Sequence, residues 1–338
     1  MPYWIELLVP ALAFIITAVT GHFLIPALKK VGMKQTIYEL APDSHKKKQG
    51  TPMMGGFMFI IGSLAALAVG IVFYYKFSEN ALLRLDNVPF YRLIVGIIFI
   101  LLNASIGFTD DYIKAVKHQN AGLNPKQKMI LQFFYGAAFL YALYVLGDTS
   151  TAVIFPFLGS LNLGLFYYPI MLLVIVYLTN AVNLTDGVDG LCGSITVITG
   201  VAFAMCSALL GAQEYTLFSL AIAGACLGFL VHNLHPAAVM MGDTGSMYLG
   251  GFVVTVGFVL HQHIILFVVA LVYIIEALSV VLQVTYFKIT KGKRIFKMSP
   301  IHHHYELSGW SENKIVAVFS IAALVCAVAG YLLLTFGE

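Results

Sequence analysis

The sequence predicts an all-α integral membrane protein, a polytopic bundle of about ten transmembrane helices. Two observations support this fold class. Of the 338 residues, 60% are hydrophobic and only 10% are charged, whereas soluble domains carry roughly 25% charged residues. The apolar runs are also long and continuous, which favours helices over the alternating pattern of a membrane barrel. We expect one transmembrane domain that covers residues 1–338.

The candidate spans follow one another with short connections. In chain order they cover residues 4–26, 54–75, 91–108, 128–146, 167–180, 191–210, 216–231, 246–260, 264–287 and 315–336. The fifth and seventh runs are short and are expected to extend into their flanks. The ninth carries Glu276, Gln283 and Lys288, so its second half is expected to leave the hydrocarbon or to line a cavity. Residues 152–162 predict a short hairpin.

Basic residues decide the predicted orientation. Of the 19 lysines and arginines, only Lys76, Arg84 and Arg92 fall in the even-numbered connections between spans. Loops rich in Lys and Arg stay in the cytoplasm. The odd-numbered connections are therefore predicted to be cytoplasmic, with both termini extracytoplasmic, and the active site is expected on the cytoplasmic loops.

Acidic residues gather at the predicted cytoplasmic ends of the spans. They are Asp110, Asp111, Asp186, Asp189 and Asp243. Each alone is equally well explained as a helix cap or an Asp-Gly turn. Carboxylates that converge on one face repel one another, and a divalent cation relieves this. Hard oxygen ligands suit Mg²⁺, which is commonly shared with substrate phosphates, and Asn183 or Asn233 would add neutral oxygens.

Lysines and glycine-rich loops lie on the same predicted face. The positive-inside effect explains most of these lysines. Lys48, however, precedes Gly50, Thr51 and a Gly55-Gly56 pair. Glycines there would let backbone N–H groups approach phosphate oxygens. Together with Lys126, these loops predict binding of an anionic, phosphorylated substrate.

Three consecutive histidines, His302, His303 and His304, stand inside the last long loop. Neighbours on a helix point about 100° apart, which argues against one zinc ion held by all three. Two interpretations remain: two of these histidines form hydrogen bonds to a phosphate or a sugar, or the segment is a polar loop without a binding role. The chain has no G-x-x-x-x-G-K-[ST], G-x-S-x-G or H-E-x-x-H motif. The four cysteines lack C-x-x-C spacing and are interpreted as packing residues.

The position of the polar residues separates two classes of function. A carrier concentrates polar groups at the bilayer midplane. Here they concentrate at one membrane surface, which favours an enzyme that joins a phosphorylated cytosolic substrate to a membrane lipid. A transporter of lipid phosphates or nucleotide sugars stays as the alternative, because Glu276 lies within a span.

Four motifs, in this order, resemble the polyprenyl-phosphate N-acetylhexosamine-1-phosphate transferase family. They are GTPMMGG at 50–56, GFTDDY at 107–112, NLTDGVDG at 183–190 and MGDTGS at 241–246. The segment PIHHHY at 300–305 resembles the muramoyl branch of bacterial cell-wall synthesis. The similarity in spans and loops covers essentially the whole chain.

The resemblance implies a reaction. Undecaprenyl phosphate would attack the β-phosphate of UDP-N-acetylmuramoyl-pentapeptide, giving lipid I and UMP for peptidoglycan biosynthesis, with Mg²⁺ as cofactor. It also implies a multi-pass protein of the bacterial cytoplasmic membrane, a homodimer, and inhibition by nucleosides that mimic uridine. No nucleic acid is expected as a partner. A related enzyme that uses UDP-N-acetylglucosamine is the alternative within the family.

The resemblance also implies roles for individual residues. Asp110, Asp111 and Asp243 match catalytic positions, and Asp110 would deprotonate or orient the lipid phosphate. A covalent aspartyl-phosphate intermediate is a rival mechanism. Asp243 and Asn183 match metal-binding positions. The implied substrate-binding residues are Lys48, Thr51, Lys126, Asn180, Asn183, Asp186, Asp189, Asn233, Gly242, Gln283, His302, His303 and His304, with Asp189 near the uracil. Met240 departs from the pattern, because an aromatic residue often stacks on uracil there; a thioether contact would replace it.

Overall fold

A computed structural model describes residues 2–32, 50–77, 87–117 and 122–337. Among these residues, nine helices are long and apolar enough to cross a membrane. The predicted fold class, an all-α polytopic membrane protein, is confirmed. The helices are α1 (Tyr3–Val31), α2 (Gly56–Phe77), α3 (Val88–Lys117), α4 (Pro125–Val145), α5 (Tyr167–Thr185), α6 (Leu191–Leu209), α7 (Gln213–Asn233), α8 (Gly242–Val259), α9 (His263–Val269), α10 (Leu271–Ile289), α11 (Ile301–Glu306) and α12 (Glu312–Phe336).

Helix α8 is the centre of the bundle. Its residues are buried apart from Asp243 and Val259, which are partly exposed. It occupies the position of the predicted span 246–260, but it is not among the nine helices that meet the length and apolarity criteria. It packs on α3 most extensively, and also on α5 and α2. A helix enclosed by other helices does not need lipid-facing apolar residues, which explains its higher polarity.

Close approach to α8 depends on glycine at two places. A Cβ at Gly56 would overlap the backbone of Gly245, and a Cβ at Gly107 would overlap the carbonyl of Asp243. Small residues at such crossings let two backbones approach more closely than side chains permit. The beginnings of α2 and α8 and the last part of α3 are thereby held together.

The predicted ninth span is divided at Ala270 into α9 and α10. Ala270 N–H still donates to the Leu266 carbonyl, at 2.9 Å, so the two helices follow one another directly. Glu276, on α10, is fully buried. This carboxylate therefore faces the inside of the protein and not the lipid.

The end of the bundle away from the aspartates carries the predicted hairpin. Strand β1 (Ala152–Phe155) pairs antiparallel with β2 (Gly159–Asn162). His261 Nε2 lies 3.0 Å from the Ala152 carbonyl oxygen and ties the hairpin to the end of α8. His263 is fully buried and its Nε2 lies 2.9 Å from the Tyr167 hydroxyl.

Alternating helix directions bring the polar residues together. Helices α3 and α5 end, and α2, α4 and α8 begin, at the same end of the bundle. Their polar termini carry the DD pair of α3, the end of α5 with Asn183, and the start of α8 with Asp243.

Candidate active site

Three carboxylates meet where α3 approaches the start of α8. Asp110, Asp111 and Asp243, here called the carboxylate cluster, offer oxygens that lie within 4.8 Å of one another. Asp110 and Asp111 are buried, and Asp243 is partly exposed. Like charges this close repel strongly in a medium of low dielectric constant. The cluster therefore requires cations beside it.

Both oxygens of Asp111 bind the first turn of α8. Oδ1 accepts the Asp243 backbone N–H at 3.1 Å, and Oδ2 accepts the N–H and the hydroxyl of Thr244 at 2.9 and 2.7 Å. The first N–H groups of a helix have no partner within the helix and favour a negative charge. Asp111 therefore fixes the start of α8, and with it the position of Asp243.

Two lysines supply positive charge to the cluster. Lys114 Nζ lies 2.6 Å from Asp110 Oδ2 and 3.6 Å from Asp243 Oδ2, and Lys128 Nζ lies 2.8 Å from Asp243 Oδ2. The other Asp110 oxygen accepts the Leu123 N–H at 2.8 Å. Three carboxylates against two ammonium groups leave an excess of one negative charge when all are ionised.

The donor set of this cluster fits Mg²⁺. Carboxylate oxygens within a few ångströms of one another are the ligands that this ion prefers. Asn183, predicted as the second ligand beside Asp243, does lie there: its Nδ2 donates to Asp243 Oδ1 at 3.2 Å and to Ser246 Oγ at 2.8 Å. To bind a metal together with Asp243, the amide of Asn183 has to turn so that its oxygen faces the cluster.

A cavity of about 620 Å³ lies next to a second polar cluster, and is called here the Asp189 cavity. Ligand atoms of Asp189, His235 and Glu312, which all line the cavity, lie within 4.8 Å of one another. Asp189 Oδ2 accepts the Ala237 N–H at 3.0 Å and lies 3.1 Å from His235 Nδ1. The Asp189 N–H donates to Glu312 Oε2 at 3.1 Å.

Predicted and unpredicted residues share the Asp189 cavity. Thr51, which the resemblance implies as a substrate-binding residue, lines it together with Met240 and Trp310. The centroid of the Trp310 ring lies 4.5 Å from that of Tyr305, with an angle of 30° between the ring planes. Because Met240 precedes Asp243 by three residues, the cavity and the carboxylate cluster are joined by one short segment.

Several predicted residues support the site through hydrogen bonds within the protein. Asn180 Nδ2 donates to Gln132 Oε1 at 2.8 Å, which joins α5 to α4. Asn233 accepts the Gly190 N–H and donates to the Val239 carbonyl, at 3.0 and 2.8 Å. Gly242 has φ +72°, and a Cβ added there would overlap the Asp111 carboxylate. The half-buried Asp186 is the C-cap residue of α5.

Gln283 and two of the three histidines lie along the last loop. Gln283 Oε1 accepts the N–H groups of Ile295 and Phe296 at 3.1 and 2.9 Å. His304 Nδ1 accepts the Lys297 N–H at 3.2 Å, and His303 Nδ1 lies 3.0 Å from Glu306 Oε2. These hydrogen bonds hold the conformation of the loop.

His302 has a different environment. It is fully buried, and its Nδ1 lies 2.9 Å from Oε2 of Glu276, which is also fully buried. The predicted contact of His302 with a sugar or phosphate therefore has no open path in this conformation. The three histidines lie on the short helix α11, and their Nδ1 atoms have three different partners.

The lysines that contact the carboxylate cluster are not the predicted one. Lys126 is exposed at the start of α4, whereas Lys128 contacts Asp243. Lys114 was likewise not predicted as a site residue. Its spacing of four residues from Asp110 on one helix was a usable signal, since such residues lie on the same helix face. Lys48 lies outside the described residues.

The hypothesis that the 50–56 loop presents free N–H groups to phosphate is wrong for Gly55 and Gly56. Their N–H groups donate to the carbonyls of Met240 and Met241, at 2.9 and 3.0 Å. These glycines permit close approach, but to the segment before α8. The loop therefore holds that segment in place.

Known proteins are similar to this chain over almost its whole length. Residues 93–261 match the sequence profile of the family described as "Glycosyl transferase family 4". A phospho-N-acetylmuramoyl-pentapeptide-transferase of Clostridium botulinum (strain Alaska E43 / Type E3) is 43% identical over 326 residues, 96% of this chain and 94% of the relative. Proteins of the same name from Bacillus subtilis (strain 168) and Clostridium novyi (strain NT) are each 44% identical over 321 residues. These alignments cover 94% and 95% of this chain, respectively, and 94% of each relative.

Proposed function

Because the chain belongs to glycosyl transferase family 4, among the phospho-N-acetylmuramoyl-pentapeptide-transferases, we propose that it synthesises lipid I. It transfers phospho-N-acetylmuramoyl-pentapeptide from UDP to undecaprenyl phosphate and releases UMP. The observation that carries this proposal is the carboxylate cluster with Lys114 and Lys128 at one end of a membrane bundle. Phosphoryl transfer requires positioning and charge neutralisation more than covalent chemistry.

The bond changes balance without any further reactant. An oxygen of undecaprenyl phosphate forms a bond to the β-phosphorus of the donor, and the bond from that phosphorus to the oxygen of UMP breaks. UMP carries away the electrons of the broken bond. Lys114 and Lys128, each with three N–H donors, would neutralise charge on the phosphates during this exchange.

Asp110 is the best candidate to orient or deprotonate the lipid phosphate. Asp111 has both oxygens bound to the start of α8, so a structural role accounts for it. Asp110 instead binds the Lys114 ammonium, which has further donors available for a phosphate oxygen. This arrangement supports direct attack, in which no aspartyl-phosphate forms.

Mg²⁺ would be held by Asp243 and Asp110, with the Asn183 amide turned toward them. When bound, this ion neutralises the diphosphate and polarises its phosphorus–oxygen bonds. The single excess negative charge of the cluster and its hard oxygen ligands support this choice.

The Asp189 cavity is the proposed site of the uridine. Met240 lines the cavity and precedes Asp243 by three residues. A diphosphate that extends from a uridine in the cavity along this segment would therefore reach Asp243. Trp310 offers an aromatic face in a cavity where Met240 stands in place of the family's aromatic residue. Nucleosides that mimic uridine would bind in the same cavity.

The proposed location is the bacterial cytoplasmic membrane, with the active site facing the cytoplasm. The distribution of lysine and arginine supports this orientation, since these residues favour cytoplasmic loops. In that orientation the nucleotide sugar arrives from water and undecaprenyl phosphate arrives from the bilayer. A homodimer remains a prediction from the family.

A donor comparison with purified protein tests the proposal. Protein in detergent with undecaprenyl phosphate and Mg²⁺ is given either UDP-N-acetylmuramoyl-pentapeptide or UDP-N-acetylglucosamine, and UMP and the lipid product are measured. We expect turnover of the muramoyl donor only, and its loss when EDTA removes the metal. Turnover of only the N-acetylglucosamine donor would identify the related enzyme instead. Absence of UMP release from both donors would contradict a transferase.

A further inference from the structure

Glu276 and His302 form a buried pair that the roles described above do not use. Oε2 of Glu276 lies 2.9 Å from Nδ1 of His302, and both side chains are 0% exposed. The other ring nitrogen, Nε2, and the other carboxylate oxygen, Oε1, have no hydrogen-bond partner within the described part of the chain. Buried polar groups are rarely left so, and an acidic residue inside a membrane span is costly. Such a pair points to a function beyond packing.

The unpartnered edge of the His302 ring faces Gly187. A Cβ added at Gly187 would overlap Nε2 and its neighbouring carbon. Gly187 belongs to the turn of residues 186–190 that connects α5 to α6. That turn carries Asp186 and Asp189, and Asp189 lines the proposed uridine cavity. His302 therefore lies between a carboxylate of α10 and the backbone of this turn.

The carboxylate also determines how the ring is held. An ionised carboxylate only accepts hydrogen bonds, so with Glu276 ionised the donor in this pair is the Nδ1–H group of His302. A hydrogen bond at one ring nitrogen fixes the orientation of the imidazole and the state of the other nitrogen. With the ring fixed, its Nε2 edge stays against Gly187.

We propose that Glu276 is a positioning residue that acts through His302. It holds the imidazole against Gly187, and this contact sets the position of the 186–190 turn and of Asp189 on the donor side of the site. This inference rests on the proposed function, because it concerns affinity for the UDP-linked donor. The pair joins α10, α11 and the 186–190 turn, which are distant in sequence.

A steady-state comparison separates this role from a purely structural one. Glu276→Leu removes the acceptor, whereas Glu276→Gln keeps the size and one acceptor oxygen. Loss of a hydrogen bond to a charged group predicts a rise of about tenfold or more in the KM for the UDP-linked donor in Glu276→Leu. Glu276→Gln should stay within about threefold of wild type, since a neutral acceptor restores part of the bond. The KM for undecaprenyl phosphate should not change in either variant.

Glu214→Leu serves as the matched control. Glu214 is also a buried carboxylate, and its Oε1 accepts the Tyr75 hydroxyl at 2.7 Å near the opposite end of the bundle. Its loss should lower the thermal midpoint in detergent without changing the KM for the donor. A change in donor KM equal to that of Glu276→Leu would show general loosening of the bundle and overturn the positioning role.

Gly187→Ala decides the matter if Glu276→Leu does not fold. The added Cβ presses on the same imidazole from the side of the turn, so the donor KM should also rise. An unchanged donor KM in the folded variants, or a fall in kcat alone, overturns the inference while wild-type UMP release keeps the proposed function. If the wild-type protein releases no UMP, the proposed function fails and this inference fails with it.

Discussion

Asp110 and Asp111 are neighbours in the chain, but their surroundings give them different roles. Neighbours on a helix point about 100° apart, so two adjacent side chains reach different partners. Asp111 binds the backbone and hydroxyl of Thr244 and the N–H of Asp243, whereas Asp110 binds Lys114. The structure therefore separates a residue that holds α8, Asp111, from a residue that is paired with a lysine side chain, Asp110.

Lys128 is predicted to matter for transfer because it contacts Asp243 directly. Lys128→Met removes this ammonium group and leaves Asp243 with less positive charge beside it. Hydrogen bonds to charged groups contribute about 1.5–3 kcal/mol, so kcat/KM should fall roughly 10- to 100-fold. The rate of UMP release at varied donor concentration measures this effect.

Lys126→Met provides the comparison two residues away. The Lys126 side chain is exposed, so its replacement should cost less than that of Lys128. A larger loss for Lys126→Met would show that the sequence-based assignment was the better one and that Lys126 reaches the substrate when it binds.

At the residue scale, sequence reasoning located the aspartates better than the lysines. Asp110, Asp111 and Asp243 stand out because charges are rare in this chain and these three follow or precede apolar runs. The choice between Lys126 and Lys128 depends on the rotation of α4 about its axis. Only the packing of α4 against α3 and α5 determines that rotation. The burial of His302 depends in the same way on Glu276, a distant residue in the sequence.

At the scale of elements, the crossing of α3 and α8 positions the site. Gly107→Ala places a Cβ against the Asp243 carbonyl, and the two backbones have to separate. Overpacking of this kind typically costs about 1–3 kcal/mol. We expect a lower thermal midpoint in detergent and a marked loss of UMP release, because Asp243 moves away from Asp111.

Ser105→Ala is the control on the same helix. Ser105 is exposed, and its hydroxyl donates to the Leu102 carbonyl of the same helix. Its replacement should leave both the thermal midpoint and the rate near those of wild type. If Gly107→Ala behaves like Ser105→Ala, the close crossing does not position the site.

The helical elements were predictable because long apolar runs in the sequence indicate membrane-spanning helices. Two features were not. Helix α8 is enclosed by other helices, so its burial depends on partners that hydropathy does not reveal. The division between α9 and α10 at Ala270 has no glycine or proline to signal it. The role of Gly55 and Gly56 was misread, since a glycine that permits close approach does not identify what approaches.

At the scale of the whole molecule, the two ends of the bundle are predicted to lie on opposite sides of the membrane. Ser150 is exposed near the hairpin, and Ser308 is exposed beside the loop that precedes α12. Ser150→Cys should react with a membrane-impermeant maleimide in intact cells. Ser308→Cys should react only after permeabilisation. The native cysteines are buried or half-buried, so the parent protein supplies the background. The reverse pattern of labelling would overturn the predicted orientation.

The central claim is that the carboxylate cluster is the site of phosphoryl transfer. The most direct test is the rate of UMP release from UDP-N-acetylmuramoyl-pentapeptide by purified Asp110→Asn and Asp243→Asn, with undecaprenyl phosphate and Mg²⁺ present. Removal of one group that stabilises charge in a transition state commonly costs about 100-fold or more, and we predict at least that loss for each folded variant. Release of UMP at the wild-type rate by either variant would contradict the claim.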